Sequence, residues 1–472
     1  MMTSTETQIS KEQLRTFHIA GRGLEHLTPA APLEPVLLDQ PLAPSLLSTG
    51  LRPLHAAALA SSRGKTRSDF LEKIKQAHER LKGILAPYGP SPASLGTEVE
   101  TFFNASALTE ALQEPPNRVR RIEPERRARI ETTLATLEEA LREFAEQPSF
   151  WLFESLDPQI LDFCDRQLAR FAVVLRALRT ARLEMDSAYD SSIHDELLSR
   201  FDWQTAEAEE LAAMPAIVVM ETAERLAHMS LTSFGRLLRS GRPVQILVTC
   251  SGLYADDLSG CVPDFGYLAI AHREAFVLQS SVASPDHLGN GLAEMARTLR
   301  PAVAVVSILE TPLLHLSRAF PLFRYDPDRG ETWSERFELV FEPARGLTAA
   351  HAAAALNDFR HHFRVIPDSA WNDEQMEVRD YLAAYEQQPP LTIPFLWVLD
   401  KQAVPQRAIL TRELVNLARD RNRAWRIFGE LAGVKNAYVE AAVAQTRQEN
   451  YDSAKRQGAT QAIHRVISML TG

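Results

Sequence analysis

Cysteine is nearly absent: Cys164, Cys250 and Cys261 are the only three in 472 residues, and no two form a C-x-x-C pair. One chain therefore cannot build an all-cysteine iron-sulfur cluster or structural zinc site. Any electron-transfer centre has to come from a partner. Inert buried thiols fit a reducing compartment better than a redox switch between Cys250 and Cys261. Long apolar runs are also missing, and none approaches the ~20 residues that cross a bilayer. The amino terminus, Met1-Met2-Thr3-Ser4-Thr5-Glu6, has no basic n-region or apolar h-region, so a cytoplasmic protein is expected. Positive charge is short: 51 Lys and Arg against 61 Asp and Glu give a net charge of -10. That balance argues against a dedicated nucleic-acid or anionic-membrane surface, which needs clustered cations. Nucleophile elbows, G-x-G-x-x-G turns after a strand and G-x-x-x-x-G-K loops do not occur, which removes the commonest signatures of acyl transfer and nucleotide binding. Internal repeats and low-complexity tracts do not stand out.

What is present is a soluble globular composition, 45% hydrophobic and 24% charged, with length for two or three domains. The organising stretch runs from Pro215 to Pro327. Four short apolar runs recur there at the spacing of a βα unit: Ala216 to Met220, Val244 to Thr249, Ala275 to Gln279 and Ala302 to Ile308. None alternates with polar residues, so each reads as a strand covered on both faces. Helix-sized segments lie between them, at Glu221 to Arg239, Asp264 to Arg273 and Asp286 to Leu299. This is the pattern of a parallel sheet with crossover helices. Ligands of such sheets sit at the carboxyl ends of the strands, which directs attention to the loops after Met220, Thr249 and Gln279.

The flanks read differently. Residues 1–63 carry Pro29, Pro32, Pro35, Pro41, Pro44 and Pro53 and read as an extended arm whose leucines seek burial on this chain or a partner. Residues 64–205 read as a helical region, with a helix capped by Ser68, a second stretch near Gly96 to Leu112, a third with Pro124 in its first turn and continuous helix from Phe150 to Met185. The basic run Arg118-Val119-Arg120-Arg121 with Arg126, Arg127 and Arg129 is interleaved by Glu123, Glu125 and Glu131. It reads as a salt-bridged helix start before it reads as a phosphate site. His194-Asp195-Glu196 and the trio His351, His361 and His362 have metal-ligand residue types without metal-ligand spacing, and read as surface and helix residues. Residues 206–330 hold the sheet. Residues 331–472 read as an α+β region with a strand near Phe337, a hairpin of Thr392 to Asp400 with Gln406 to Leu410, a helix capped by Thr411 and ended by Gly433, and a last helix suited to docking on a neighbour.

Three segments of the central stretch carry a family resemblance: Ser240-Gly241-Arg242-Pro243-Val244-Gln245-Ile246-Leu247-Val248; Asp264-Phe265-Gly266-Tyr267-Leu268-Ala269-Ile270-Ala271 with Phe276-Val277-Leu278-Gln279-Ser280-Ser281; and Phe320-Pro321-Leu322-Phe323-Arg324-Tyr325-Asp326-Pro327. In this order they resemble the thiamine-diphosphate-binding domain of pyruvate:ferredoxin and related 2-oxoacid:ferredoxin oxidoreductases. The last segment is the most specific. The resemblance implies an α/β parallel-sheet domain that binds thiamine diphosphate and Mg²⁺ and works beside an iron-sulfur or oxidoreductase partner. It also implies where to look: the metal-binding G-D-G turn of the family falls on Thr222-Ala223-Glu224, and the second cofactor loop falls on Cys250-Ser251-Gly252-Leu253-Tyr254. The metal aspartate is thus Ala223, and the cluster cysteine of the family is Glu310.

The cofactor-facing positions that remain are Thr222, Glu224, Ser251, Leu253 and Asp256, and none is assigned a catalytic role. Two readings follow. In one the domain is a pseudoenzyme, a scaffold or complex subunit with a degenerate site. In the other it is an active 2-oxoacid oxidoreductase subunit in which Glu221, Glu224, Asp256 or Asp257 replaces the missing ligand that an octahedral Mg²⁺ needs.

Overall fold

The computed structural model describes residues 45–85, 122–250, 253, 264–340, 346–399, 404–434 and 437–471. Most of the expected arm, the stretch from Gly96 to Leu112 and the basic run Arg118 to Arg121 lie outside the described residues.

Residues 45–63 are helical where an extended arm was expected. The first helix, α1 (Ser45–Leu85), runs through Pro53 and places Ser68 in its interior, not at its start. The run His55-Ala56-Ala57-Ala58-Leu59-Ala60 explains the difference, because alanine is the best helix former and its stretch outweighs one proline near the helix start. Leu51 and Leu59 pack on the sheet side, while Phe70, Ile74 and Leu81 join a helical layer with α2 (Pro124–Glu146) and α3 (Ile160–Met185). Between α2 and α3 the chain forms a strand, β1 (Phe150–Phe153), where continuous helix was expected. Phe-Trp-Leu-Phe favours a pleated surface, and Pro148 and Pro158 bracket it, so the local preference is for β. The short helix α4 (Ser191–Ser199) then leads to the sheet, with Asp190 capping it by accepting from Ser192 N.

The four expected strands form, all parallel: β2 (Ala216–Thr222), β3 (Val244–Cys250), β4 (Phe276–Ser281) and β5 (Ala302–Ser307). The sheet has seven strands in the order β1-β2-β3-β5-β4-β6-β7, with β1 parallel to β2. Two short antiparallel strands, β6 (Phe323–Tyr325) and β7 (Phe337–Leu339), complete the far side. The molecule is thus mixed α/β around a mostly parallel sheet.

Covered strands still alternate, between two cores and not between core and water. Ile217, Val219, Ile246, Val248, Val277, Val303 and Val305 point to the core shared with α5 (Leu231–Leu238) and α6 (Phe265–Ala271). Val218, Leu247, Leu278, Ala304 and Val306 point to the second core, under α1 and α7 (Pro285–Arg297). Each such valine or leucine contributes on the order of 2 kcal/mol. Arg63 fixes α1 to the end of α7 by donating to Ala296 O at 2.7 Å and Thr298 O at 2.8 Å, two carbonyls the last helical turn leaves open. His55, buried in the same seam, is held neutral, its pKa lowered to about 4 by burial.

Beyond the sheet lie α8 (Ala349–Ala354), α9 (Val378–Tyr385) and a four-stranded sheet of β8 (Phe363–Ile366), β9 (Gln375–Glu377), β10 (Ile393–Leu399) and β11 (Pro405–Leu410). The hairpin β10-β11 is antiparallel as expected. Thr411 caps α10 (Arg412–Leu431) by accepting from Leu414 N, and Gly433, at φ +70°, follows its end. Phe428 of α10 packs on Phe323 and Phe337 and so docks this region on the antiparallel side of the main sheet. The last helix, α11 (Ala437–Thr471), is exposed along its length.

Candidate functional site

The carboxyl ends of the parallel strands are where the sheet can hold a ligand, and the first carboxylate there is Glu221. It sits one residue before the end of β2 with its side chain 1% exposed. Its Oε2 accepts from Leu156 N at 3.1 Å, in the loop after β1, and from the Ser230 hydroxyl at 3.5 Å. Its Oε1 accepts from Thr222 N at 3.1 Å and lies 3.7 Å from Arg225 Nε. A buried carboxylate survives only with such partners, and here every one is internal. Glu221 ties the ends of β1, β2 and the following turn together, leaving little capacity for an incoming cation.

The neighbouring positions are arranged the same way. Thr222 turns its hydroxyl oxygen to Arg225 N at 3.3 Å, capping the short helical turn Ala223–Arg225. Ala223, where the resemblance places a metal aspartate, is fully buried. Glu224, in the same turn, is exposed, and Leu253 is buried. Ser251, Asp256 and Asp257 lie outside the described residues. An Mg²⁺ ion demands near-octahedral oxygen donors around at least one carboxylate. Thr222, Ala223, Glu224 and Leu253 do not make that set, and no group of three His, Cys, Asp or Glu residues converges among the described residues.

The segments that carry the resemblance meet as packing. Gln279 donates from Nε2 to Pro321 O at 2.8 Å. A Cβ at position 266 would stand 2.3 Å from Gln279 Oε1 and 2.8 Å from Phe323 Cζ, so only glycine lets α6 approach β4 and β6 this closely. Asp264 caps α6 by accepting from Tyr267 N at 3.1 Å. Burial raises its carboxyl above the ordinary range against the pull of Arg421, 3.4 Å away.

Other chemistry-bearing residues resolve into structural roles. Ser280 and His287 were not expected to pair, yet Ser280 Oγ lies 2.8 Å from His287 Nδ1. The spacing is visible only once β4 and the first turn of α7 are folded against each other. Burial, with Arg324 nearby, lowers the His287 pKa to about 4, and Ser280 is fully buried, so the pair anchors α7 on β4 and the serine hydroxyl is closed to a substrate. Cys164 is buried and its thiol is pushed up to about 12 by desolvation, which makes it unreactive. Cys250 is buried, Glu310 is exposed and Cys261 lies outside the described residues. His194 accepts from Asp190 N through Nδ1 at 2.9 Å on the surface. His351 caps α8 by accepting from Thr348 N at 3.0 Å, and His362 pairs with Thr411 Oγ1 at 2.8 Å. The arginines at the start of α2 are ion-paired: Arg127 with Glu131, and Arg126 and Arg129 with Glu184 of α3 at 2.8 and 2.6 Å. No helix among the described residues is long and apolar enough to cross a membrane. No protein-family model matches the chain, and no curated protein matches it.

Proposed function

We propose that the central sheet is a diverged thiamine-diphosphate-binding-like domain of the pyruvate:ferredoxin oxidoreductase type, retained as a non-catalytic scaffold or subunit of a cytoplasmic oxidoreductase assembly. The observation that supports this most is the pairing of a buried Ala223 with a fully engaged Glu221. A divalent ion at the end of β2 would need a converging anionic oxygen, and Glu221 spends its own on internal partners while Glu224 is turned to solvent. The diphosphate of the coenzyme would then have no metal to neutralise it. The packing of Gly266, Gln279 and Phe323 gives the resembling segments a reason to persist without catalysis.

On this reading a partner supplies any iron-sulfur centre, and the chain contributes shape and docking surface. Calorimetry of the full chain with thiamine diphosphate, with and without Mg²⁺, tests it. No saturable heat is expected in either case. Magnesium-dependent binding would overturn the scaffold reading in favour of an active subunit, with the ligand supplied from the loop containing Ser251 and Asp256.

A further inference from the structure

A groove lies in the helical layer, between α2 and α3. Arg129, Thr132 and Thr136 of α2, with Val173, Arg176 and Thr180 of α3, line this groove of about 560 Å³, a size typical of small-ligand sites. Tyr189 and Leu198 from α4 and the chain before it also border it.

Most of its polar groups are already engaged. The hydroxyls of Thr132 and Thr136 donate back to Ala128 O at 2.9 Å and Thr132 O at 3.1 Å, so these residues keep only acceptor capacity. Arg129 donates to Glu184 at 2.6 Å and lays its guanidinium 3.9 Å over the Tyr189 ring. The Tyr189 hydroxyl donates to Asp195 at 2.5 Å, which commits the one carboxylate of the lining. Arg176 is the exception among the groove's charged groups. Its Nε is shielded from water and has no acceptor, and no carboxylate pairs with it among the described residues. The terminal nitrogens of the same guanidinium are not shielded in this way, so its charge stays open to an anion arriving from outside, with no internal carboxylate among the described residues to compete for it.

We propose that this groove binds an amphipathic organic anion, a carboxylate or phosphate monoester on a short apolar tail, with Arg176 taking the headgroup. The planar guanidinium suits either headgroup, because both present two oxygens to a parallel pair of N–H donors. Val173, Ala177, Leu198 and the threonine methyls offer the tail an apolar wall. The proposal is independent of the reading of the sheet, and either can fail alone.

The test is calorimetric titration of the full chain with octanoate, octyl phosphate, inorganic phosphate and octanol. One of the two amphipathic anions is expected to bind with a single site, and the better one identifies the headgroup. Inorganic phosphate and octanol should each bind at least about ten-fold more weakly, since each lacks half of the recognition. R176M should weaken the better anion at least about ten-fold while keeping its native melt, because Arg176 has no carboxylate partner to lose among the described residues. V173E, at an exposed position that tolerates polarity, should also abolish uptake by repelling the headgroup. Absence of binding by both anions at millimolar concentration, equal binding to R176M and V173E, or equal binding of octanol would overturn the proposal.

Discussion

At the end of β2 the buried carboxylate of Glu221 has four internal partners, whereas Arg176, lining the groove between α2 and α3, has no carboxylate partner among the described residues and an Nε without an acceptor. The first arrangement closes a place where a parallel sheet would ordinarily receive a ligand. The second leaves a charge unanswered in a place no motif marks. The difference shows that location in a fold and readiness for a ligand are separate properties. Topology indicates where a site can be, and the count of unmet donors and acceptors indicates whether one is there.

The largest effect expected from challenging this contrast is on acid stability. His55 and His351 are buried and held neutral, with pKa values lowered to about 4, and His287 behaves likewise beside Ser280 at the closed strand end, where Arg324, Glu338 and His315 face it. Above pH 6.5 both folded and unfolded chains carry these imidazoles neutral. As the pH falls from 6.5 towards 4 the unfolded chain takes up protons that the folded one refuses, so stability drops by on the order of 3 kcal/mol for each fully buried group. Urea midpoints measured across this window should fall steadily, and a flat profile would show that these seams open to water. Glu184→Gln comes next. It leaves Arg126 and Arg129 facing a neutral amide, and a loss of about 3 kcal/mol is expected in the same assay.

Glu221→Ala should cost about 2 kcal/mol, because Leu156 N–H and the Ser230 hydroxyl lose their buried acceptor. A negligible change would mean that the end of β2 is wetter and more available than its hydrogen bonds indicate. Arg176→Met should have the smallest effect, within about 0.5 kcal/mol of native or slightly stabilising, since it removes a charge without a partner. A clear destabilisation would make Arg176 structural and dissolve the contrast.

Much of the central sheet was legible because strands buried on both faces leave apolar runs too dense to be anything else at βα spacing. The position of Ala223 was legible for the same reason that its consequence was not: one residue type in a turn is visible, but the partner of Glu221 at Leu156 is 65 residues away. Long-range pairing also hid the role of Arg126 and Arg129, whose common partner Glu184 lies across the helical layer and not among the interleaved glutamates. The prolines before residue 64 suggested an extended arm, and for residues 45–63 the alanine run after His55 decided otherwise. β1 escaped because four residues are too few to show a period. The idle donor of Arg176 has no trace in sequence at all, since lacking a neighbour is purely spatial.

The expected boundary at residue 206 falls between β1 and β2, so the parallel sheet borrows its first strand from the helical layer. Cutting the chain there would strip β2 of its neighbour and bare the backbone amides of Ala216 to Val219. Such a fragment would be expected to self-associate, stacking its naked margin against a second molecule to recover those bonds. The four residues Phe150 to Phe153 therefore complete the margin of β2, and the parallel sheet is not whole without the segment that lies inside the helical layer.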